Sequence, residues 1–126
     1  MNPNRFQFRV YDDHPNFKKM VYWSLSDSVP HELLRPTCSP IMQSTGTCDK
    51  DERVIFEGDI VKKPYGYEYA STRPAYRNFI VRWLERGGRF FLAWDKTDDT
   101  TGVFTYRALN DCEVIGNIYE NPELVP

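Results

Sequence analysis

Residues 78–84 read NFIVRWL, residues 89–94 read RFFLAW, and the four residues between them read ERGG. Runs this rich in β-branched and aromatic residues are typical of strands. Gly87 and Gly88 can supply the positive φ angles that a primed hairpin turn requires. The sequence therefore predicts a β-hairpin here, and this hairpin decides the fold class.

A second hairpin is predicted nearer the start of the chain. In residues 5–11 (RFQFRVY), apolar and polar residues alternate at the period of a strand, with Phe6, Phe8 and Val10 on one side. Turn-forming residues follow, and residues 19–25 (KMVYWSL) predict a strand that returns antiparallel to the first. The pattern indicates a half-buried pair of strands with its apolar side inward.

Two more strand regions lie around a sharp bend and near residue 115. In residues 54–61 (VIFEGDIV), two β-branched runs flank Gly58, which tolerates a positive φ. Residues 112–119 (CEVIGNIY) predict a final strand, and residues 103–106 (VFTY) a weaker one. The chain is thus expected to be built from short strands.

The remaining stretches are rich in proline, glycine or polar residues and are expected to be loops. The one short helix predicted is a single turn at residues 30–34. The predicted loops are residues 26–39, 44–53, 64–76 and 95–102.

These elements together predict a single mainly β domain over residues 1–126. Short strands separated by turn signals are typical of a small closed sheet, so we expect an SH3-like or related β-barrel with extra strands, long loops and little helix. The alternating large residues of the central hairpin are expected to fill it. These residues are Phe79, Val81, Trp83, Phe91 and Ala93.

Composition indicates where in the cell this domain is expected to be found. The chain has 126 residues with a formal net charge of −2, no apolar run near the ~20 residues that span a bilayer, and no signal-peptide core after Met1. Its three cysteines form no CxxC pair, which favours a reducing cytosol over a disulfide scaffold. We expect a cytoplasmic protein that has no membrane partner.

Four stretches, in order along the chain, resemble the YopX-like family of phage and prophage proteins. They are residues 8–12 (FRVYD) with 18–20 (KKM) after them, 41–46 (IMQSTG), 54–61 (VIFEGDIV) and 112–124 (CEVIGNIYENPEL). The last stretch is the most specific. The resemblance implies a compact, mostly β fold with barrel character, encoded on mobile genetic elements and made in the bacterial cytoplasm.

The same resemblance supplies no reaction, cofactor or catalytic residue that could be transferred to this chain. The chain departs from the commonest family pattern at residues 64–76, which are rich in tyrosine, and at residues 95–101. Those two places are candidates for a function particular to this member.

No motif in the sequence supports catalysis or a metal site. The two histidines and three cysteines lack the close spacing of a zinc half-site. A calcium loop that began at Asp95 would need glycine at its sixth position and glutamate at its twelfth, and this chain has Thr100 and Tyr106 there. Isolated cysteines are more often small buried hydrophobes, and Glu57 and Asp59 are explained by the bend at Gly58. We therefore expect no enzyme activity, no cofactor and no metal. The residues weighed were His14, His31, Cys38, Cys48 and Cys112.

The segment 62–89 combines basic residues with tyrosines, as proteins that bind single-stranded nucleic acid do. The opposing interpretation is an ordinary solvated strand face, which the acidic overall balance favours. The candidate residues for nucleic-acid or partner binding are Lys62, Lys63, Tyr65, Tyr67, Arg73, Arg77 and Arg82.

Uneven charge along the chain supports a third hypothesis. Residues 62–94 hold seven basic and two acidic residues, a net of +5, and residues 95–126 hold two and seven, a net of −5. Opposed charge and many aromatics suit a protein-interaction module or a homo-oligomer. A non-catalytic interaction module that binds a protein partner or itself is the leading hypothesis, and single-strand nucleic-acid binding is the alternative.

Overall fold

A computed structural model describes residues 6–67, 74–85, 87–94 and 111–126 of the protein, and these residues form two four-stranded antiparallel sheets. The first sheet has the order β2-β1-β3-β4 and the second the order β7-β6-β5-β8. The strands of the first sheet are β1 (Gln7–His14), β2 (Phe17–Ser24), β3 (Met42–Cys48) and β4 (Val54–Phe56). Those of the second are β5 (Asp59–Tyr67), β6 (Pro74–Leu84), β7 (Arg89–Ala93) and β8 (Glu113–Asn117).

The described residues contain only two short helical elements, both 3-10 turns, at His31–Leu34 and Pro122–Leu124. Neither is long and apolar enough to cross a membrane. The mainly β class predicted from the sequence is confirmed, and its SH3-like detail stays a prediction. The weak strand at residues 103–106 and the loop at residues 95–102 lie outside the described residues.

The two predicted hairpins are present. His14 pairs with Phe17 at the tight end of β1 and β2, and Leu84 pairs with Arg89 at the end of β6 and β7. Gly87 and Gly88 have φ angles of 115° and 63°, as the predicted turn requires.

Two predicted loops are partly strand. Residues 44–53 were expected to be exposed, but β3 runs to Cys48 because it pairs with β4, Ser44 opposite Phe56 and Cys48 opposite Val54. In residues 64–76, β5 continues to Tyr67 and β6 resumes at Pro74. Cross-strand pairing thus overrides the polar or proline-rich local sequence.

Strand β6 is buried on both faces, so the second sheet lies between two apolar clusters. One cluster comprises Ile55, Val61, Phe79, Val81, Phe90, Leu92 and Cys112. The other comprises Ile80, Leu84, Phe91 and Ala93. Four of the five predicted core residues are therefore confirmed. Trp83 is not, since 41% of its surface is exposed.

A buried ion pair joins the two sheets. Arg9 of β1 donates from Nη2 to the Oδ1 atom of Asp59 at 2.7 Å, and both side chains are almost fully buried. The alternation in residues 5–11 suggested that Phe6 lies inside and Arg9 outside, but Phe6 is 46% exposed and Arg9 only 3%. Strand periodicity fails here because both faces of β1 meet other parts of the chain.

The bend between β4 and β5 is built around Gly58, which has a φ of 87°. A Cβ atom at this position would lie 2.9 Å from the Sδ atom of Met42. The Gly58 amide donates to the Val81 carbonyl, and its own carbonyl accepts from Ile118. The predicted role of Gly58 is confirmed, and the bend brings Glu57 and β6 to one side of the molecule.

Asp49 attaches β8 to the first sheet. Its Oδ1 atom accepts the backbone N–H groups of Asp51 and Arg53, and its Oδ2 atom accepts that of Val114, each at 2.9 Å. The Lys50 amide also donates to the Cys112 carbonyl at 3.0 Å. This buried carboxylate therefore joins the start of β8 to the loop that follows β3.

Candidate functional site

An open groove lies between the start of β3 and the β6–β7 hairpin, where the two sheets face each other. It consists of a cavity of about 390 Å³ beside residues 40–42 and a cavity of about 520 Å³ beside residues 43–46. Trp83 lines both cavities, which therefore adjoin at this residue. We name the two cavities together the β3–β6 groove, with residues 40–46 as one wall and Trp83 as the centre of the other.

Trp83 is held in place as a half-exposed aromatic surface. Its ring meets Phe90 edge to face, with 4.8 Å between the ring centroids and 69° between the planes. Gly88 lies against its other side, since a Cβ there would be 3.9 Å from the Cζ2 atom of Trp83. A fixed aromatic side chain in a groove is the usual anchor for a partner, because little conformational entropy is lost on binding.

The opposite wall adds apolar surface and a backbone edge. Ile41, directly before β3, is 53% exposed. Strand β3 pairs with β1 only at Met42 and Gln43. Within the described residues, the stretch 44–46 therefore has no strand partner on its β1 side, and this stretch lines the larger cavity. Such an edge can form main-chain hydrogen bonds with an added strand.

Three charged side chains line the groove among the residues that the structure describes. Glu57 and Arg82 lie in the smaller cavity, and Arg89 lies in the larger one. Burial raises the pKa of the Glu57 carboxyl above its usual 4.5, although a backbone hydrogen bond from Gln43 and nearby Arg82 counteract this. An apolar groove with a few charged groups is typical of a binding site.

The predicted basic residues that lie in the described parts of the chain do not form one patch. Lys62 is exposed, with its Nζ atom 5.1 Å from the centroid of the Tyr76 ring. The neighbouring Lys63 points to the other side of β5, is only 4% exposed and pairs with Asp111. Alternation along the strand thus separates the two lysines.

The other two candidates with described side chains, Arg77 and Arg82, contact different aromatic rings of the second sheet. Arg77 is exposed and lies over Trp94, with 5.1 Å from its Cζ atom to the ring centroid. The Arg82 Cζ atom lies 5.8 Å from the centroid of the Phe91 ring, and Arg82 is the one candidate with a described side chain that lines the groove. Tyr65 and Tyr67 belong to β5, and Arg73 lies outside the described residues.

The positive middle and the acidic end of the chain meet within one molecule. Strand β5 pairs with β8, which places Lys62 opposite Glu113, and Lys63 forms its ion pair with Asp111. Part of the charge asymmetry seen in the sequence is therefore used intramolecularly, in closing the second sheet.

The histidines and cysteines occupy separate structural positions. His14 stacks on Phe17, with ring centroids 4.4 Å apart, and His31 lies at the surface near Glu32. Burial raises the pKa of Cys112 to about 12 and also raises that of Cys38. In the parts of the chain that the structure describes, no three histidine, cysteine, aspartate or glutamate side chains form a metal-binding group.

Sequence reasoning did not identify most of the groove. Ile41 appeared only within the family stretch 41–46, Arg89 only within the basic segment 62–89, and Trp83 was predicted to lie in the core. The one available signal was the position of Trp83 beside the Gly-Gly turn, where a strand ends and its side chain can leave the core.

Comparisons with known proteins give the family. The family model described as YopX protein matches residues 10–126. A crystal structure of protein EF1440 from Enterococcus faecalis is similar, with a TM-score of 0.48 and 28% identity over 93% of this chain and 74% of that one. No curated protein matches significantly. Because the family model covers nearly the whole chain, this chain belongs to the YopX family.

Proposed function

We propose that this YopX domain is a non-catalytic protein-interaction module that binds an extended segment of a partner protein in the β3–β6 groove. The observation that carries the proposal is the position of Trp83, half exposed and shared by both cavities of the groove. The sequence led to the hypothesis of an interaction module, and the β3–β6 groove is the surface that we propose for it.

The groove suits an extended peptide more than a compact ligand. Its β3 wall runs over seven residues, 40–46, which is about 23 Å at the rise of a strand. The stretch 44–46 can offer main-chain hydrogen bonds, while Trp83 and Ile41 can contact apolar side chains. Strand addition gains affinity from the backbone and specificity from such side-chain contacts.

The absence of catalysis is part of this proposal. Support comes from the scattered positions of the histidines and from the raised pKa values of the Cys38 and Cys112 thiols, which disfavour thiolate chemistry. We place the module in the cytoplasm of a bacterial cell that carries a phage or prophage, as the family resemblance implies. No cofactor is required.

The test is selection of peptides from a random twelve-residue library on the immobilised protein, followed by affinity measurement by fluorescence anisotropy. Selected peptides should bind Trp83→Ala and Ile41→Asp at least tenfold more weakly than the wild type. The matched control is Leu34→Ala, because Leu34 is 89% exposed and does not line the groove. Thermal unfolding confirms that each variant is folded.

Peptides that bind Trp83→Ala and Ile41→Asp as tightly as the wild type would overturn the proposal, as would failure to enrich any peptide. Light scattering after size-exclusion chromatography tests the oligomeric hypothesis. A dimer that dissociates in Trp83→Ala but not in Leu34→Ala would identify a second copy as the occupant of the groove.

Single-strand nucleic-acid binding is the second candidate, and the contact between Lys62 and Tyr76 favours it. Tyr76 is 53% exposed, so a base could stack near the lysine. Retention on single-stranded DNA should then fall with salt and be lost in Lys62→Ala/Tyr76→Ala, but not in the control Lys18→Ala. Equal retention of both variants would exclude this surface.

A further inference from the structure

Strand β2 is the outer strand of the first sheet, and one of its backbone edges has no strand partner among the described residues. It pairs with β1 over its whole length, from Phe17 to Ser24, without a register shift. Side chains along it are accessible, since Phe17 is 46% and Tyr22 58% exposed. A long, regular edge that carries exposed aromatic residues is a place where a further strand can add.

The hydrogen bonds of β1 show how its backbone is oriented. The Tyr11 N–H donates to the Ser39 hydroxyl at 2.8 Å, and the Asp13 N–H donates to the Thr37 carbonyl at 3.1 Å. Both bonds point away from β2. Because backbone groups alternate in direction along an antiparallel strand, the even-numbered residues of β1 are the ones that face β2.

The orientation of β2 follows from its register with β1. The even-numbered Val10 pairs with the odd-numbered Val21, so the odd-numbered residues of β2 face β1 and the even-numbered ones face outward. The outward N–H group of Ser24 is already bound by the Asp27 carboxylate at 2.8 Å, which ends the open edge. The residues that leave outward backbone groups open are Lys18, Met20 and Tyr22.

The charges on this edge are balanced within the chain, although the strand carries two lysines. The Lys18 Nζ atom lies 3.3 Å from the Asp13 carboxylate, and the Lys19 Nζ atom lies 3.0 Å from the Glu32 carboxylate. Lysines on an edge strand usually keep other chains away, but these two have their counter-charges beside them. Such an edge favours neither a strongly acidic nor a strongly basic strand, whereas a second copy brings the same balance of charge.

One symmetric register pairs the three open residues among themselves. Hydrogen-bonded pairs in an antiparallel sheet join residues that both face the gap, so a two-fold axis at Met20 sets Lys18 opposite Tyr22 of the second copy. The same register sets Phe17 opposite Trp23 of the second copy. It therefore forms cation–aromatic and aromatic–aromatic pairs and places no two lysines opposite each other.

We infer that β2 is a self-association edge, at which a second copy adds its own β2 antiparallel about a two-fold axis at Met20. The two first sheets then form one continuous eight-stranded sheet. This interface goes beyond the proposed function and leaves the β3–β6 groove open, since no residue of β2, all of which the structure describes, lines either cavity. The dimer presents two grooves, which raises its avidity for a partner with two binding segments.

Disulfide trapping tests the register. In a background that lacks the Cys38 and Cys48 thiols, Met20→Cys should form a covalent dimer on mild oxidation. The two Cα atoms of a hydrogen-bonded pair lie about 5.5 Å apart, within the range of about 4.4 to 6.8 Å that a disulfide spans. Lys18→Cys and Tyr22→Cys should each stay monomeric alone and should cross-link when mixed. Non-reducing gel electrophoresis measures the covalent dimer.

Light scattering after size-exclusion chromatography measures the dimer without cross-linking. The wild type should be dimeric at high protein concentration and dissociate on dilution. Met20→Lys should weaken the dimer at least about tenfold, because it places like charges opposite each other at the axis. The matched control is Leu34→Lys, which adds the same charge at a residue that is 89% exposed and lies outside β2. Thermal unfolding checks that both variants are folded.

A wild type that is monomeric at every concentration would overturn this inference, as would cross-linking of Met20→Cys no greater than that of Leu34→Cys. A dimer that dissociates in Trp83→Ala but persists in Met20→Lys would place the second copy in the β3–β6 groove and would also overturn it. Failure of the peptide selection contradicts the proposed function alone, because the β2 interface does not depend on the groove.

Discussion

Arg9 and Asp59 form a buried ion pair of 2.7 Å that joins β1 of the first sheet to β5 of the second. The same Arg9 guanidinium donates to the Glu57 carbonyl at 3.1 Å and lies over the Phe56 ring. Asp59 also accepts the Phe56 amide at 2.8 Å. One cation therefore holds the β4–β5 bend, and with it the Glu57 end of the groove.

Replacing Arg9 with methionine should destabilise the fold by about 3 to 5 kcal/mol, because Asp59 would remain buried without its counter-charge. Urea denaturation measures the loss. Lys18→Met is the control, since its ion pair with Asp13 is exposed on both sides and should contribute less than about 1 kcal/mol. Equal losses in the two variants would show that the Arg9 pair does not hold the sheets together.

The free energy of unfolding should depend on pH through the ionisation of Asp59. Burial raises the pKa of this carboxyl from 3.8 to about 6, although Arg9 opposes the shift. Because the folded pKa lies above the unfolded one, the contribution of Asp59 to stability is largest below about pH 4 and declines as pH rises through about 6.

The measurement compares wild type with Asp59→Asn by urea denaturation across this range. The free energy of unfolding of the wild type, relative to the variant, should fall between about pH 4 and pH 7. A difference that stays constant or rises with pH would contradict the raised pKa.

Asp49→Ala should cost about 2 to 4 kcal/mol, because three backbone N–H groups lose their acceptor. Hydrogen exchange of the Val114 amide should accelerate more than that of the Ile118 amide, which donates to the Gly58 carbonyl instead. Asp51→Ala is the control, since the Asp51 side chain is exposed. Unchanged exchange at Val114 would show that Asp49 does not attach β8.

Cys112 should resist thiol reagents in the native protein, because it is fully buried and burial raises its pKa to about 12. In a Cys38→Ser/Cys48→Ser variant, a thiol-specific chromogenic reagent should give no reaction until denaturant is added. Rapid reaction of the native variant would show that the cluster around Cys112 opens readily.

Local sequence predicted the strands where pattern and turn chemistry agree. The β6–β7 hairpin, the first hairpin and the Gly58 bend all depend on residues within a few positions of one another. Strand β3 was partly missed because Ser44, Thr45 and Gly46 carry no apolar pattern. Their strand conformation depends on β4, about ten residues away.

The candidate site was less predictable because it depends on distant pairings. Arg9 looked solvent-facing by alternation, and its burial requires Asp59, fifty residues later in the chain. Trp83 alternates correctly with Phe79 and Val81, but the sheet ends beside it and leaves its ring half exposed. The buried Nε atom of Arg89 has no hydrogen-bond partner among the described residues, and no sequence pattern indicates such a feature of packing.

The position of β8 at the edge of the second sheet has a consequence for folding during synthesis. Strand β5 can pair with β6 as soon as both have left the ribosome, but its other edge stays open until residue 117 has been released. Until then Val61 and Ile55 lack the cover of Cys112, and a neighbouring nascent chain can pair with the exposed edge. This sheet is completed only once residues 113–117 have left the ribosome, and β8 therefore determines how long the growing chain is open to misassembly.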